Sequence, residues 1–175
     1  MLRILITDDH AVVRQGLKQI VGEEPDMTVA GEATNAREML DLVQKGPYDI
    51  VVMDLHMPGI SGLEALKELK QLCPSLPVLV LSMQAEDQVA VRTLKMGASG
   101  YLTKESAAEE LVKAIRKVVS GGRYVSATLA ERLAYDVAFG TDRPLHELLS
   151  SREYQVFCQI ASGTSASEIA DELCL

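Results

Sequence analysis

Apolar residues fall along this chain in two alternating rhythms. Short runs rich in apolar residues occupy Leu2–Ile6, Met27–Ala30, Ile50–Met53 and Pro77–Leu81, and a less apolar one, Ser-Gly-Tyr-Leu-Thr, occupies Ser99–Thr103. Runs of that length, bounded by turn residues, predict strands of a parallel sheet covered on both faces. Between them, apolar residues recur at three- and four-residue spacing. The stripes are Val12, Val13, Leu17, Ile20 and Val21; Met39, Leu40, Leu42 and Val43; Leu63, Leu66, Leu69 and Leu72; Val89 to Met96; and Leu111, Val112, Ile115, Val118 and Val119. Each predicts an amphipathic helix. Asn35 is placed to cap the second helix. Ser61-Gly62-Leu63-Glu64 and Ser106-Ala107-Ala108-Glu109 have the spacing of capping boxes, Pro74 must stop the third helix, and Gly97 closes the fourth. Five strand–helix alternations with short connections predict an α/β fold, a doubly wound five-stranded parallel sheet. Right-handed winding sets strands one and three side by side, with four and five following on one side.

Gly121-Gly122 closes this unit. Ser126 to Phe139 predicts a connector helix striped by Leu129, Leu133 and Val137, and a loop follows from Gly140 to Pro144. Ser150-Ser151-Arg152-Glu153 then caps a helix carrying Val156, Phe157, Ile160 and Ala161, which Gly163 ends. Ser165-Ala166-Ser167-Glu168 caps a second, short helix with Ile169, Ala170 and Leu173. Two short helices across a Gly-containing turn fit a plain αα-hairpin or the first half of a helix-turn-helix. The expected organisation is a first domain over residues 1–120, a linker with a helix over 121–147, and a second, partial domain over 148–175.

Composition narrows the field. Hydrophobic residues make up 47% of the 175, which excludes a disordered chain. Aromatics are 4% and Trp is absent, so the core is aliphatic. A net charge of −8 is the wrong balance for a chain that binds nucleic acid or anionic membrane over its whole surface. Cys73, Cys158 and Cys174 are odd in number, lack metal spacing, and read as small apolar packers. With no signal peptide and no apolar run of spanning length, a cytoplasmic location is expected. No glycine-rich phosphate loop follows any strand, which argues against a nucleotide site.

The chemistry lies at the predicted strand ends. Asp8 and Asp9 close strand one, Asp54 strand three, Ser82 strand four and Lys104 strand five. Taken singly, these are ordinary: a helix cap, a turn aspartate, a loop hydroxyl, a solvated charge. The predicted strand order brings all five to one sheet edge, the C-terminal one where open α/β sheets bind ligands. Three carboxylates that close cannot all ionise unpaired, so they call for a cation. Oxygen-only ligands suit Mg²⁺. Lys104 adds a positive charge suited to phosphate, and Ser82 a neutral donor. Asp54 is then the expected nucleophile for a phosphoryl group, with Mg²⁺ and Lys104 offsetting charge on the transferring oxygens. His10 and His56 flank the cluster, a weak zinc signal among oxygen ligands.

The segments Asp8-Asp9-His10, MDLHMPGISG at 53–62, LVLS at 79–82 and GASGYLTK at 97–104 resemble the receiver domain of two-component response regulators. The resemblance covers about the first 120 residues and implies a flavodoxin-like fold. It implies Asp54 as phosphoacceptor, with Asp8, Asp9, Asp54 and the backbone carbonyl of His56 around Mg²⁺. Ser82 is implied as the hydroxyl switch, Lys104 as the phosphate-binding lysine and Tyr101 as the aromatic switch. His56 and Gln84 are implied to tune phosphoryl lifetime. Many receivers carry a proline after the lysine; Glu105 stands there, so no cis peptide is expected. The tail LSSREYQVFCQIASGTSASEIADELCL resembles the start of a LuxR-type helix-turn-helix domain, and the whole chain resembles a NarL/FixJ-type regulator.

That resemblance implies a sensor histidine kinase as partner, a phosphorylation-dependent homodimer, no membrane association, and control of transcription. The surface expected to change runs over Val89–Met96, Ser99–Thr103 and Ala107–Val119, with the first helix, Ala11–Val21, as rival. DNA contact is expected only of a complete protein: the sequence stops where the recognition helix would begin, and Arg152 is the tail's one Lys or Arg. A chain that acts through protein contact alone is the competing expectation. A haloacid-dehalogenase-type hydrolase would carry a second Asp two residues past its nucleophile; His56 stands there, and the nucleophile follows strand three rather than strand one.

Overall fold

The computed structural model describes residues 1–83, 87–127, 129–131, 133–134, 151–164 and 169–170. Strands β1 (Leu2–Thr7), β2 (Met27–Ala33), β3 (Ile50–Asp54), β4 (Val78–Ser82) and β5 (Gly100–Thr103) alternate with helices α1 (Ala11–Gly22), α2 (Ala36–Lys45), α3 (Gly62–Leu72), α4 (Asp87–Lys95) and α5 (Ala107–Val119). All strand pairings are parallel, in the order β2-β1-β3-β4-β5. This is the flavodoxin-like winding that the run-and-stripe pattern predicts.

Period-two alternation divides the strand side chains between two cores. Ile4, Ile6, Ile50, Val52, Leu79, Leu81 and Leu102 pack with α1 and α5. Leu5, Val51, Met53, Val78, Val80 and Tyr101 pack with α2, α3 and α4. Most of these side chains are fully buried; each contributes about 1.5–3 kcal/mol by leaving water. Helices therefore cover both sheet faces, and the C-terminal strand mouths are left to the connecting loops.

Strand β2 reaches Ala33, three residues past the expected end. A register shift between Ile4 and Leu5 skips Ala30 and lets Gly31, Glu32 and Ala33 pair with Leu5, Ile6 and Thr7. Asn35 caps α2 as expected, its side chain accepting from the Glu38 N–H at 3.0 Å. Glu38 reaches back to the N–H and hydroxyl of Thr34 at 2.7 and 2.9 Å. Asn35→Ala removes the cap acceptor and is expected to cost about 1 kcal/mol, seen in a urea melt as a lower midpoint with unchanged slope.

The two expected capping boxes do not form. Neither Ser61 nor Ser106 makes a side-chain cap bond. Ser61 is buried, and Gly62 beside it lies against the Leu55 backbone; an added Cβ would fall 2.4 Å from the Leu55 carbonyl oxygen. Ser106 has helical backbone angles and turns its hydroxyl back to the Thr103 carbonyl at 3.1 Å. Beyond α5, residues 127, 129–131 and 133–134 are helical, started by Ser126 Oγ accepting from the Leu129 N–H at 3.2 Å. A further helix spans Ser151–Ala161 and ends at Gly163, whose φ is +87°. The expected Phe139 end, the 140–144 loop and the Ser165–Glu168 cap lie outside the described residues.

Candidate phosphoacceptor site

Strands β1 and β3 are paired, so Asp8, one residue past β1, and Asp54, the last residue of β3, come together. Both carboxylates are buried. The Lys104 ammonium arrives from the end of β5, 2.7 Å from Asp54 Oδ2 and 2.7 Å from Asp8 Oδ2. It bridges two residues distant in sequence, and its own side chain is 8% exposed. The Lys104 N–H donates to the Ser82 carbonyl at 2.8 Å, tying the β5 end to the β4 end. Ser82 is fully buried at that mouth. Asp9 is partly exposed and joins the same cluster: one ligand atom each from Asp8, Asp9, His10 and Asp54 lie within 4.8 Å of one another. The sequence-derived acidic set and Lys104 are thus assembled by the fold.

Local backbone holds these carboxylates. The His56 N–H donates to Asp54 Oδ1 at 3.1 Å, and the His10 N–H to Asp8 Oδ1 at 2.8 Å. Each aspartate thereby fixes the chain two residues on, as short carboxylate side chains do in turns. No cis peptide bond is present among the described residues.

Burial lifts the Asp54 carboxyl above its ordinary range; the Lys104 ammonium and the His56 N–H pull it down, and the neighbouring Asp8 charge adds to the rise. Burial alone would lower the Lys104 ammonium. Its hydrogen bonds and charge attraction to Asp54 and Asp8 outweigh that, and its pKa lies above the usual lysine value. The site therefore holds a carboxylate against its desolvation penalty, with one ammonium shared between two buried anions.

Two contacts had no decisive signal in the sequence. The His10 ring, weighed there only as a zinc ligand, places Nδ1 2.7 Å from Asp9 Oδ1 and 3.3 Å from Asp8 Oδ1. Arg14, one turn into α1, donates from Nη1 to the Asp8 carbonyl at 2.7 Å, with Nε 3.8 Å from Glu32 on β2. A polar residue in a helix's first turn reads equally as a solvated charge. Tyr101 projects to the α4 side and is 5% exposed. Gln84 lies outside the described residues.

Comparison with known proteins settles the family. Residues 4–116 match the response regulator receiver domain. The chain is 38% identical over 178 residues to the response regulator GacA of Pseudomonas aeruginosa, covering all of this chain and 82% of GacA. The chain belongs to the two-component response regulators. This response regulator is also 33% identical over 175 residues to UvrY of Escherichia coli, covering 99% of the chain and 80% of UvrY. Its fold superposes on a LuxR-family response regulator from an Aurantimonas species with a TM-score of 0.72 at 36% identity, over 77% of this chain and 96% of that one. It is a regulator of the LuxR type, and receivers of its family bind Mg²⁺ at an acidic pocket of the kind assembled here. Among the described residues of this response regulator, no helix is long and apolar enough to cross a membrane.

Proposed function

We propose that this response regulator accepts a phosphoryl group on Asp54 from a sensor histidine kinase and passes the resulting change to a LuxR-type helix-turn-helix domain that controls transcription. The observation that carries this reading is the buried Asp54 carboxylate at the mouth of β3, with the Lys104 ammonium 2.7 Å away and shared with Asp8. An Asp54 carboxylate oxygen attacks phosphorus, the phosphorus–nitrogen bond of a phosphohistidine breaks, and the departing imidazole takes a proton. Lys104 then follows the charge from the carboxylate to the phosphoryl oxygens. The buried Ser82 at the β4 mouth is the switch hydroxyl for those oxygens. The chemistry is self-directed: transfer onto Asp54 and its later hydrolysis, with no turnover of other phosphoesters.

Asp8, Asp9, Asp54 and the backbone carbonyl of His56 would hold Mg²⁺. In support, one ligand atom each from Asp8, Asp9 and Asp54 lies within 4.8 Å of the others, and Asp8 Oδ2 and Asp9 Oδ1 are buried with one neighbour each, the Lys104 ammonium and the His10 ring. A cluster of hard oxygens left in that condition fits a hard dication better than zinc. The ion supplies charge neutralisation for the transferring oxygens. Asp9→Ala is expected to slow labelling by acetyl phosphate roughly 10²-fold, and EDTA to slow the wild type similarly. A rate indifferent to EDTA contradicts the metal assignment.

We assign residues 1–120 to the receiver, 121–147 to a linker with a helix, and 148–175 to the N-terminal part of the LuxR-type domain. The regulator works in the cytoplasm, without membrane association, and dimerises on phosphorylation. Intact mass after acetyl phosphate and Mg²⁺ tests the central reading: one phosphoryl mass is expected on the wild type.

A further inference from the structure

Arg14 stands where helix electrostatics disfavour a cation. It lies one turn into α1, near the end whose dipole repels positive charge, and the first turn there carries no acidic residue. Its side chain is nevertheless only 15% exposed. Among the described residues, its ion contact is with Glu32 on β2, Nε to Oε2 at 3.8 Å, and not with the site carboxylates. Its Nη1 donates instead to the main chain, to the Asp8 carbonyl at 2.7 Å. Lys18, one turn further along α1, holds the other oxygen of Glu32 at 2.6 Å. The guanidinium is thus backed by β2 and aimed at the turn between β1 and α1. Bonded there, it leaves the carboxylate oxygens of Asp8 and Asp9 to the pocket. A guanidinium on those oxygens would compete with a cation for the same lone pairs.

We propose that Arg14 is a positioning residue for the metal pocket: through the Asp8 carbonyl it fixes the peptide that joins Asp8 to Asp9, and so sets the pocket's affinity for Mg²⁺. This rests on the reading that Asp8, Asp9 and Asp54 hold Mg²⁺. Peptide units are planar, so a bond on the Asp8 carbonyl sets the plane from which Asp9 departs. The other polar groups of Asp8 are held without Arg14. Its N–H donates to the Ala33 carbonyl at 3.2 Å. Its Oδ1 accepts from the His10 N–H at 2.8 Å, and its Oδ2 lies 2.7 Å from the Lys104 ammonium. Asp9 is tied less: its carboxylate is partly exposed, with the His10 ring 2.7 Å away. Loss of Arg14 therefore leaves Asp8 in place and frees the turn to Asp9. Mg²⁺ demands near-ideal octahedral geometry, so two carboxylates on consecutive residues serve it together only when the peptide between them is oriented. Removing a contact that orients a ligand costs metal sites roughly 10–100-fold in affinity.

The test is a Mg²⁺ titration of the full chain, without phosphodonor, followed by the amide signals of His10 and His56. Arg14→Met keeps an apolar stem and removes the donors; its dissociation constant should rise roughly tenfold. Arg14→Lys keeps the charge and a donor end, and should recover most of that loss. Melts in EDTA and in Mg²⁺ separate positioning from packing: the gain in melting temperature on adding Mg²⁺ should shrink in Arg14→Met. A merely structural role would lower the EDTA melt and leave the Mg²⁺ constant alone. With acetyl phosphate, Arg14→Met should need roughly tenfold more Mg²⁺ for half-maximal labelling, with a far smaller fall in rate at saturating Mg²⁺. Arg14→Gln, shorter and uncharged, is read by the same criteria if Arg14→Met does not fold. Wild-type affinity in the uncharged variant overturns the proposal. Tighter binding overturns it too, since the guanidinium would then act by its charge on the ion and not on the peptide. Both results leave the Mg²⁺ reading standing, because the wild type still responds. A wild type whose His10 and His56 amides ignore Mg²⁺ overturns the metal reading, and the proposal falls with it.

Discussion

Asp54→Asn should abolish labelling by acetyl phosphate and, at neutral pH, raise the melting temperature. The first effect follows from removing the nucleophile: intact mass should show no phosphoryl adduct under conditions that saturate the wild type. Undiminished labelling would place the acceptor elsewhere. The second follows from burial. Desolvation raises the Asp54 carboxyl despite the ammonium beside it. A carboxyl whose folded-state pKa lies above its unfolded one contributes stability that is full below the ordinary carboxylate range. That stability is lost as pH rises through the raised value. At pH 7 the wild type therefore holds a charge that opposes folding, and asparagine removes it. Lys104 keeps Asp8 as partner in the variant, so no ammonium is stranded. A gain of about 2–4 °C corresponds to 1 kcal/mol in a chain of this size. The gain should shrink toward pH 4. A variant less stable than wild type at pH 7 would show that the Lys104–Asp54 attraction outweighs desolvation.

The same balance explains why the site was legible in the sequence. Asp8, Asp54, Ser82 and Lys104 each close a strand whose apolar run marks its own end. Strand order follows from winding rules, so convergence at one edge needs no contact information. What the sequence hid was fixed by contacts between residues far apart or by competing local bonds. Ser61 and Ser106 have capping-box spacing, yet Ser61 is buried without capping and a hydroxyl bond to Thr103 claims Ser106. Strand β2 outruns its apolar run because Gly31 and Glu32 pair with β1 after a register shift. Arg14 and Tyr124 carry no pattern at all: one acts on a main-chain carbonyl six residues back, the other on an edge strand. The resemblance implies Tyr101 as an aromatic switch but not its depth; it is buried in one cluster with Leu129, which belongs to another segment.

Lys104→Ala should have the largest effect on the resting protein. The ammonium is the shared counter-ion of two buried carboxylates. Breaking a buried pair by removing one partner costs about 3–5 kcal/mol, because the remaining charge is left uncompensated. Here two anions would also face each other. The Asp54 carboxyl loses the partner that holds it down and keeps both influences that raise it, desolvation and Asp8. Its folded-state pKa must rise further, so the variant's stability should be fullest in acid and fall as pH climbs through that raised value. Thermal melts should show a small deficit near pH 4.5 and a large one at pH 8. Mg²⁺ should recover part of the deficit at pH 8 and little at pH 4.5, since a dication can neutralise the carboxylates only when they are ionised. Labelling by acetyl phosphate should fall with the loss of the cation that follows the phosphoryl oxygens, whether or not stability is restored. A deficit equal at both pH values and untouched by Mg²⁺ would reduce Lys104 to a packing residue. Recovery of stability together with full labelling would remove it from the transfer step.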